Sequence, residues 1–167
     1  MQLKNKLTTA LCFIAVGTLF FVEPVAAQPN PQAENAQKSW LKSTDPKLEQ
    51  NKKIVYDFWR EVLEAGHLDL APKYMTETYI QHNPNVPTGR QGFLDFFSKF
   101  KKAVPIVDTI KGPLIAILAE GDRVVLVFKR TLNEPKDPSK KYVTTDFEML
   151  RVENGKVAEH WDNATKE

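Results

Sequence analysis

Cysteine is almost absent from this chain of 167 residues, which contains only one, Cys12. One thiol cannot form a disulfide within the chain, and a metal site built from several cysteines is excluded. Positive charge is not concentrated either, because 23 basic and 21 acidic residues give a formal charge of +2 without a dense Lys/Arg block. A nucleic-acid-binding protein normally carries such a block, so we expect no nucleic-acid partner.

Motifs for phosphate binding and nucleophilic catalysis are also missing. The chain has 7 glycines, and they form neither a Gly-rich phosphate loop, nor a dinucleotide-binding fingerprint, nor a nucleophile elbow. The composition is otherwise ordinary, with 42% hydrophobic and 26% charged residues. These values predict a packed globular core, and the length suits one domain.

Long hydrophobic runs are confined to the N-terminus. Two lysines precede an apolar run from Leu11 to Val22, and the small residues Ala26–Ala27 follow it. This pattern predicts a signal peptide over residues 1–27, and hence export to the periplasm or the medium, with Gln28 as the mature N-terminus. A retained membrane anchor is the alternative, but the run is shorter than the ~20 residues that a span needs. Cleavage would remove Cys12 and leave no membrane attachment.

The segment 28–44 precedes the predicted domain and is rich in Gln, Asn, Pro and Ala. We interpret it as a flexible N-terminal arm in which Trp40–Leu41 can dock on the domain. The domain itself is predicted over residues 45–167. It begins at Asp45–Pro46, because Asp is a good N-cap and Pro suits the first helical position. Gly66 is predicted to end this first helix in the left-handed conformation.

Two more helices and then a change of hydrophobic period follow. Leu68–Met75 is predicted as a short helix and Arg90–Lys102 as a third helix. Beyond them apolar residues alternate with polar ones, which predicts strands at 106–111, 114–119, 123–132, 142–152 and 156–162. Three helices followed by a meander of strands indicate an α+β fold, with the helices packed on one face of a curved, mostly antiparallel sheet.

The last two predicted strands carry carboxylates and a histidine at alternating positions. A two-residue turn between them would set Met149 opposite His160. A three-residue turn with a bulge at Gly155 would set Glu148 opposite His160 instead. We favour the bulged turn because it separates polar from apolar residues better. It places four polar side chains on one face, namely Asp146, Glu148, His160 and Asp162.

Four segments occur in the order and spacing of a known superfamily. They are Phe58–Trp59 with Gly66–Asp69, Tyr79–Pro84, Gly89–Gly92 and the closing hairpin 151–162. With them, residues 51–162 resemble the nuclear transport factor 2-like superfamily. Within it they resemble the SnoaL-like group, named for a polyketide cyclase that closes a ring by intramolecular aldol condensation. The resemblance implies a cone-shaped α+β barrel with an apolar pocket and, often, a homodimer formed through the outer sheet surface.

The same resemblance implies candidate catalytic residues. His82 lies one residue before Asn83, which occupies the position of the general base in ketosteroid isomerase, a member of the superfamily. Glu148 matches the strand position where that isomerase stabilises an enolate. In SnoaL-like cyclases an aspartate in the pocket is the acid–base residue, and we assign this role to Asp162, with His160 beside it to bind the substrate oxygen.

Three further residues are predicted to bind substrate: Trp59, Tyr79 and Asn83. Trp59 stands where ketosteroid isomerase has an oxyanion-hole tyrosine, which departs from the isomerase pattern. Structural alternatives remain for the candidates: His82 bracing a loop, Trp59 filling the core, a buried Glu148–His160 pair, and Asp162 exposed at the start of the tail.

The sequence thus predicts an exported acid–base enzyme without a cofactor, acting on a small apolar carbonyl compound by aldol condensation, cyclisation or isomerisation. The alternative is a protein of the same fold that binds an apolar small molecule without turnover. A metal ligand set of His82, His160 and a carboxylate is conceivable by residue type. The two histidines lie on separate elements, however, and we predict no metal.

Overall fold

The computed structural model describes residues 31–166, so the predicted signal peptide, Cys12 and the first residues of the predicted arm lie outside the described part of the chain. Within the described part, no helix combines the length and the apolar character needed to cross a membrane.

A helix, α1 (Pro31–Leu41), occupies most of the segment predicted to be a flexible arm. Its Gln37 is buried and accepts hydrogen bonds from the Tyr56 hydroxyl (2.6 Å) and the Ile110 backbone N–H (3.1 Å). The Gln37 amide also donates to the Ile110 carbonyl (2.9 Å). Trp40–Leu41 packs on the core, as expected. The structure therefore differs from the prediction here, because one buried amide ties the helix to the domain.

The helical part of the domain begins as predicted. Asp45 caps α2 (Pro46–Asp57) by accepting a hydrogen bond from the Lys47 backbone N–H (2.8 Å). A π-helix (Phe58–Glu64) continues the same helix, and Gly66 follows with φ of 73°. Three shorter helical segments complete the layer, namely a 3₁₀ turn (Leu68–Leu70), α3 (Ala71–Tyr74) and α4 (Arg90–Phe97).

Five strands form one mixed sheet in the order β1-β5-β4-β3-β2. β1 pairs parallel with β5, and the other three pairings are antiparallel. The helices cover one face, and the core lies between them and the sheet. The predicted α+β fold with a mostly antiparallel sheet is confirmed. The strands are β1 (Met75–Gln81), β2 (Leu114–Glu120), β3 (Arg123–Glu134), β4 (Asp137–Glu153) and β5 (Lys156–Trp161).

The predicted strand at 106–111 does not form, and α4 ends at Phe97 rather than Lys102. Side chains take the place of a neighbouring strand there. The Glu64 carboxylate accepts from the backbone N–H groups of Lys111 (2.7 Å) and Gly112 (2.6 Å), so the backbone is satisfied without a ladder. Further on, the predicted loop 133–141 is mostly strand, because β3 and β4 meet at a tight turn.

The turn of the last hairpin differs from the favoured prediction. Asn154 and Gly155 both have positive φ, 49° and 75°, which is the geometry of a two-residue turn of type I′. After the turn, Val152 pairs with Val157, but the next residue of β4, Arg151, pairs with Glu159. Ala158 is therefore skipped and has no partner on β4. The bulge therefore exists, but it lies at Ala158 and not at Gly155.

This displaced bulge decides which side chains share a face. Beyond it Leu150 pairs with His160, and Glu148 faces the same way as Leu150 because it lies two residues before it. The uninterrupted two-residue register would have set Met149 opposite His160. Because Ala158 is an extra residue in β5, Glu148 and His160 lie on the same face of the sheet. This shared face is as predicted, although the predicted three-residue turn at Gly155 does not form.

Candidate active site

A cavity of about 290 Å³ lies between the π-helix, α4, β1 and the β4–β5 hairpin. The π-helix contributes several of its apolar side chains, and such helices are frequent at functional sites. Trp59, one of them, stacks on Phe128 at 5.0 Å between ring centroids, so it serves both cavity and core. The apolar lining residues are Phe58, Trp59, Leu63, Val86, Phe93 and Phe97.

Polar side chains are gathered on the wall that β1 and the hairpin form. Six of the seven predicted site residues line the cavity, namely Trp59, Tyr79, Asn83, Glu148, His160 and Asp162. The structure does not bring His82 to the cavity. Three lining residues with polar side chains were not predicted, and they are Glu64, Gln81 and Lys101.

His82 lies on the outer side of the sheet, away from the other candidate residues. Its ring stacks on Trp161 at 4.7 Å, its Nε2 is 2.7 Å from Glu159 Oε1, and 42% of its side chain is exposed. Alternation along the chain explains this placement. Gln81 faces the cavity, and the next residue therefore points away from it.

Gln81 orients the imidazole of His160. The Gln81 Oε1 accepts from the Asn83 backbone N–H (2.9 Å), which fixes which end of the amide is the oxygen. The same oxygen is 2.9 Å from His160 Nδ1. Because an amide oxygen can only accept, His160 Nδ1 carries a proton. The signal for Gln81 was present in the sequence, since it lies two residues from both Tyr79 and Asn83 on the same strand face.

Glu148 and His160 share one proton. Glu148 Oε2 is 2.7 Å from His160 Nε2, and both side chains are largely buried, 16% and 11% exposed. With Nδ1 already protonated, a neutral imidazole would set its lone pair against a carboxylate oxygen. A proton must therefore lie between them, either on the imidazole or on the carboxyl group.

Asp162 completes the cluster. Its Oδ2 accepts from Asn83 Nδ2 (2.6 Å) and its Oδ1 from the Ala164 backbone N–H (2.9 Å). The Asn83 amide is itself oriented, because its oxygen accepts from the Asn85 backbone N–H (2.9 Å). Asn83 therefore positions Asp162 and does not itself supply acid–base chemistry.

Three potential ligand atoms of this cluster, one each from Glu148, His160 and Asp162, lie within 4.8 Å of one another. Residues of these types also bind divalent metals, so the cluster could hold a cation by chemistry alone. The predicted absence of a metal stays a prediction.

Tyr79 presents a hydroxyl donor to the cavity. Burial raises its pKa well above the ordinary value, and the nearby charges of Glu148 and Asp162 raise it further. The hydroxyl therefore keeps its proton. Its oxygen accepts from Gln81 Nε2 (3.0 Å), and within residues 31–166 no group accepts the proton of Tyr79 itself. That proton is available to a bound oxygen atom.

Sequence comparison identifies the family. Residues 53–165 match the sequence profile of the SnoaL-like polyketide cyclases. The chain belongs to this family. The resemblance seen in the sequence is thereby confirmed, and the cluster of Glu148, His160 and Asp162 is the candidate active site of a SnoaL-like protein. A search among curated proteins finds no match.

Solved structures agree with the SnoaL-like fold. A candidate polyketide cyclase from Acidithiobacillus ferrooxidans is 21% identical over 72% of this chain and 89% of its own, with a TM-score of 0.50. A candidate SnoaL-like polyketide cyclase from Jannaschia sp. CCS1 is 19% identical over 73% of this chain and 91% of its own, also with a TM-score of 0.50. At these identities the likeness establishes the fold alone.

Proposed function

We propose that this SnoaL-like protein is an acid–base enzyme that works without a cofactor on a small apolar carbonyl compound. One observation carries the proposal: Glu148, His160 and Asp162 form a tight polar cluster on the wall of an otherwise largely apolar cavity. Membership of the SnoaL-like family supports a cyclase or isomerase type of reaction. The cavity, about 290 Å³, suits a substrate of one or two rings.

The first step is removal of a proton from the carbon next to the carbonyl group. Asp162 is the base, since Asn83 and the Ala164 N–H hold its carboxylate at the cavity wall without supplying a formal charge. Negative charge then develops on the carbonyl oxygen. The Tyr79 hydroxyl stabilises this charge by donating a hydrogen bond that strengthens as the enolate forms.

The second step uses the proton shared by Glu148 and His160. In an aldol reaction the enolate carbon bonds to a second carbonyl carbon, and the new alkoxide takes the shared proton. The proton on Asp162 then returns to the pair, so the protein ends as it began. In an isomerisation the shared proton is transferred to another carbon of the enolate, and the proton on Asp162 again returns to the Glu148–His160 pair.

Deuterium exchange tests this chemistry without knowledge of the natural substrate. The methyl protons of 2-acetonaphthone are followed by ¹H NMR in D₂O with the full chain. We expect catalysed exchange, with a loss of about 100-fold in Asp162→Asn, the contribution typical of a general base. Asp69→Asn, at an exposed carboxylate, should match the wild type. Equal exchange in both variants would refute the role of Asp162.

A binding protein without turnover is the second candidate function. It is favoured by the internal hydrogen bonds of the cluster, because His160 and Asp162 already have partners within the protein. Calorimetric titration with 2-acetonaphthone separates the two candidates. Binding without any catalysed exchange supports the carrier, whereas exchange above the solvent rate supports the enzyme.

We also propose export, on the strength of the N-terminal pattern described above. Expression of the full chain in a bacterial host with fractionation tests it. The expected product lacks residues 1–27, begins at Gln28 by mass spectrometry, and appears outside the cytoplasm. An uncleaved chain in the cytoplasmic fraction would contradict the proposal.

A homodimer is proposed through the outer side of the sheet. Large apolar side chains are exposed there, including Phe147 (52%) and Leu118 (60%), and such patches commonly mark interaction surfaces. Light scattering of the wild type should give twice the chain mass, and Phe147→Ser should shift it toward the monomer. A wild-type protein that stays monomeric at high concentration would overturn this proposal.

A further inference from the structure

One cation on the cavity wall has no partner in the fold. Within residues 31–166, Lys101 is the only Lys or Arg that lines the cavity. Across the described residues, its ammonium group makes no hydrogen bond and no ion pair. A cation beside an apolar cavity is poorly compensated unless an anion joins it.

The backbone around Lys101 is held in place although it lies outside regular structure. The Lys101 N–H donates to the Phe97 carbonyl (2.8 Å), and the Val104 N–H donates to the Ala65 carbonyl (2.9 Å). Between them, the Lys102 carbonyl oxygen lies 2.7 Å from where a Cβ on Gly66 would stand, an approach that only glycine permits. The position of the Lys101 Cα is therefore fixed relative to the π-helix.

Glu64, an acidic residue of the cavity wall, forms no ion pair with Lys101 in the described chain. Glu64 also lines the cavity, but both of its carboxylate oxygens accept from the backbone N–H groups of Lys111 and Gly112. No ion pair within 4.0 Å joins Glu64 to Lys101 among the residues described. The carboxylate oxygens of Glu64 are thus occupied by the backbone, although the formal charge of Glu64 remains on the cavity wall.

Two arginines of the sheet already have acidic partners. Arg130 forms an ion pair with Asp146, and Arg151 forms one with Glu159. Neither arginine lines the cavity. Among the described residues that line the cavity, an anionic group of a bound molecule would therefore meet one unpaired positive charge, that of Lys101.

We propose that Lys101 binds a carboxylate of the substrate, so that the substrate is an acid with an apolar body and a separate carbonyl group. The inference rests on the proposed function for the carbonyl end. Asp162 repels an anion, whereas Lys101 attracts it and can pair with it directly because the oxygens of Glu64 are bound to the backbone, so the charges favour one orientation of the molecule. The carboxylate lies at Lys101, and the carbonyl group is directed to Tyr79 and Asp162.

Two probes of matched shape test this by calorimetric titration of the full chain. The first is 2-naphthoate, and the second is 2-acetonaphthone, in which a methyl ketone replaces the carboxylate. We expect 2-naphthoate to bind at least about tenfold more tightly, the range of a charge-assisted hydrogen bond. The preference should disappear in Lys101→Met, persist in Lys101→Arg, and shrink as sodium chloride is raised.

Lys102→Met is the matched control, because its side chain is exposed and does not line the cavity. It should keep the full preference. Equal affinities of the two probes for the wild type would overturn the role of Lys101 while leaving exchange of 2-acetonaphthone protons, and hence the proposed function, intact. A preference that survives Lys101→Met, or that is lost equally in Lys102→Met, would also overturn it.

Discussion

The closing hairpin carries a histidine–carboxylate pair on each of its two sides. On the cavity side His160 and Glu148 meet at 2.7 Å, and on the outer side His82 and Glu159 meet at the same distance. The distances are equal, but the surroundings are not. The His160 side chain is 11% exposed and that of His82 is 42% exposed.

The neighbours of the two carboxylates differ as well. Glu159 receives hydrogen bonds from His82 and Arg151, and these two groups, His82 foremost, lower the pKa of Glu159. No arginine or lysine pairs with Glu148 in the described chain. The charge of Glu159 in the outer pair is therefore balanced by Arg151, whereas the inner pair holds the proton that the proposed function requires to move. The two glutamates are equally buried, each 16% exposed, so the pairs differ in the burial of the histidine and in the charges beside the carboxylate.

The largest expected difference between the pairs is in catalysis. His160→Asn should slow the exchange of 2-acetonaphthone protons by about 100-fold, because the proton that returns to the enolate is shared by His160 and Glu148. His82→Asn should leave the rate within about twofold of the wild type, since His82 does not line the cavity. A larger loss in the His82 variant would invert the comparison.

Stability should separate the pairs next. His160→Leu leaves Glu148 with a buried, unpartnered carboxyl group, and we expect a loss of about 2 kcal/mol in the free energy of unfolding. His82→Leu removes an exposed histidine and leaves Glu159 paired with Arg151, so it should cost less than about 1 kcal/mol. Urea denaturation followed by tryptophan fluorescence measures both. Equal losses would mean that the inner pair is no better desolvated than the outer pair.

The Asn154–Gly155 turn joins the two strands that carry Glu148, Glu159 and His160, so a change there should affect the stability of both pairs. Gly155 has φ of 75° with open space around it, so Gly155→Ala should destabilise the protein by about 1 kcal/mol through backbone strain alone. Gly155→Asn should cost less, because Asn tolerates the left-handed region. Denaturation midpoints compare the two variants. An alanine variant as stable as the wild type would show that the positive φ is not required.

The smallest effect concerns the pH dependence of the outer pair. The pKa of Glu159 is lowered by folding, so its contribution to stability is present above the unfolded pKa of about 4.3 and is lost as pH falls through the lower folded value. The gap in unfolding free energy between wild type and Glu159→Gln should therefore narrow from pH 6 to pH 3, by less than about 1 kcal/mol. A gap that is constant over this range would contradict the assignment.

The exposed strand residue Glu77 supplies the control for that titration. No ion pair of Glu77 occurs within residues 31–166, so the difference between Glu77→Gln and the wild type should change little over the same pH range. The pH dependence of the Glu159 variant then measures the contribution of the outer pair, and that of the Glu77 variant measures the contribution of an exposed carboxylate without an ion pair.

Several local features of the structure follow from residue type and spacing alone. The Asp45 cap and the left-handed Gly66 follow from residue type, and the shared face of Glu148 and His160 follows from alternation. The position of the β-bulge could not be predicted from the sequence. Nothing in the residue type of Ala158 indicates a bulge, since the register there depends on how β5 packs against β4 and the helices.

Two differences between prediction and structure have clear physical origins. Chemistry and nearness to Asn83 favour His82 as a site residue, but the period of two places neighbours on opposite faces, so His82 points away from the cavity. The strand predicted at 106–111 does not form because Gln37 and Glu64, distant in sequence, supply hydrogen bonds to its backbone. The first difference follows from the sequence pattern, whereas the second depends on the tertiary structure.

The parallel pairing of β1 with β5 has a consequence for the order of folding. Gln81 pairs with His160 across 79 residues of chain, so the strands that carry the two halves of the site belong to the most distant contact in the sheet. Contacts of such sequence separation form slowly, because a long loop must close first. The candidate active site is therefore assembled only when the C-terminal strand has docked, and a chain interrupted before that strand would lack His160 and Asp162.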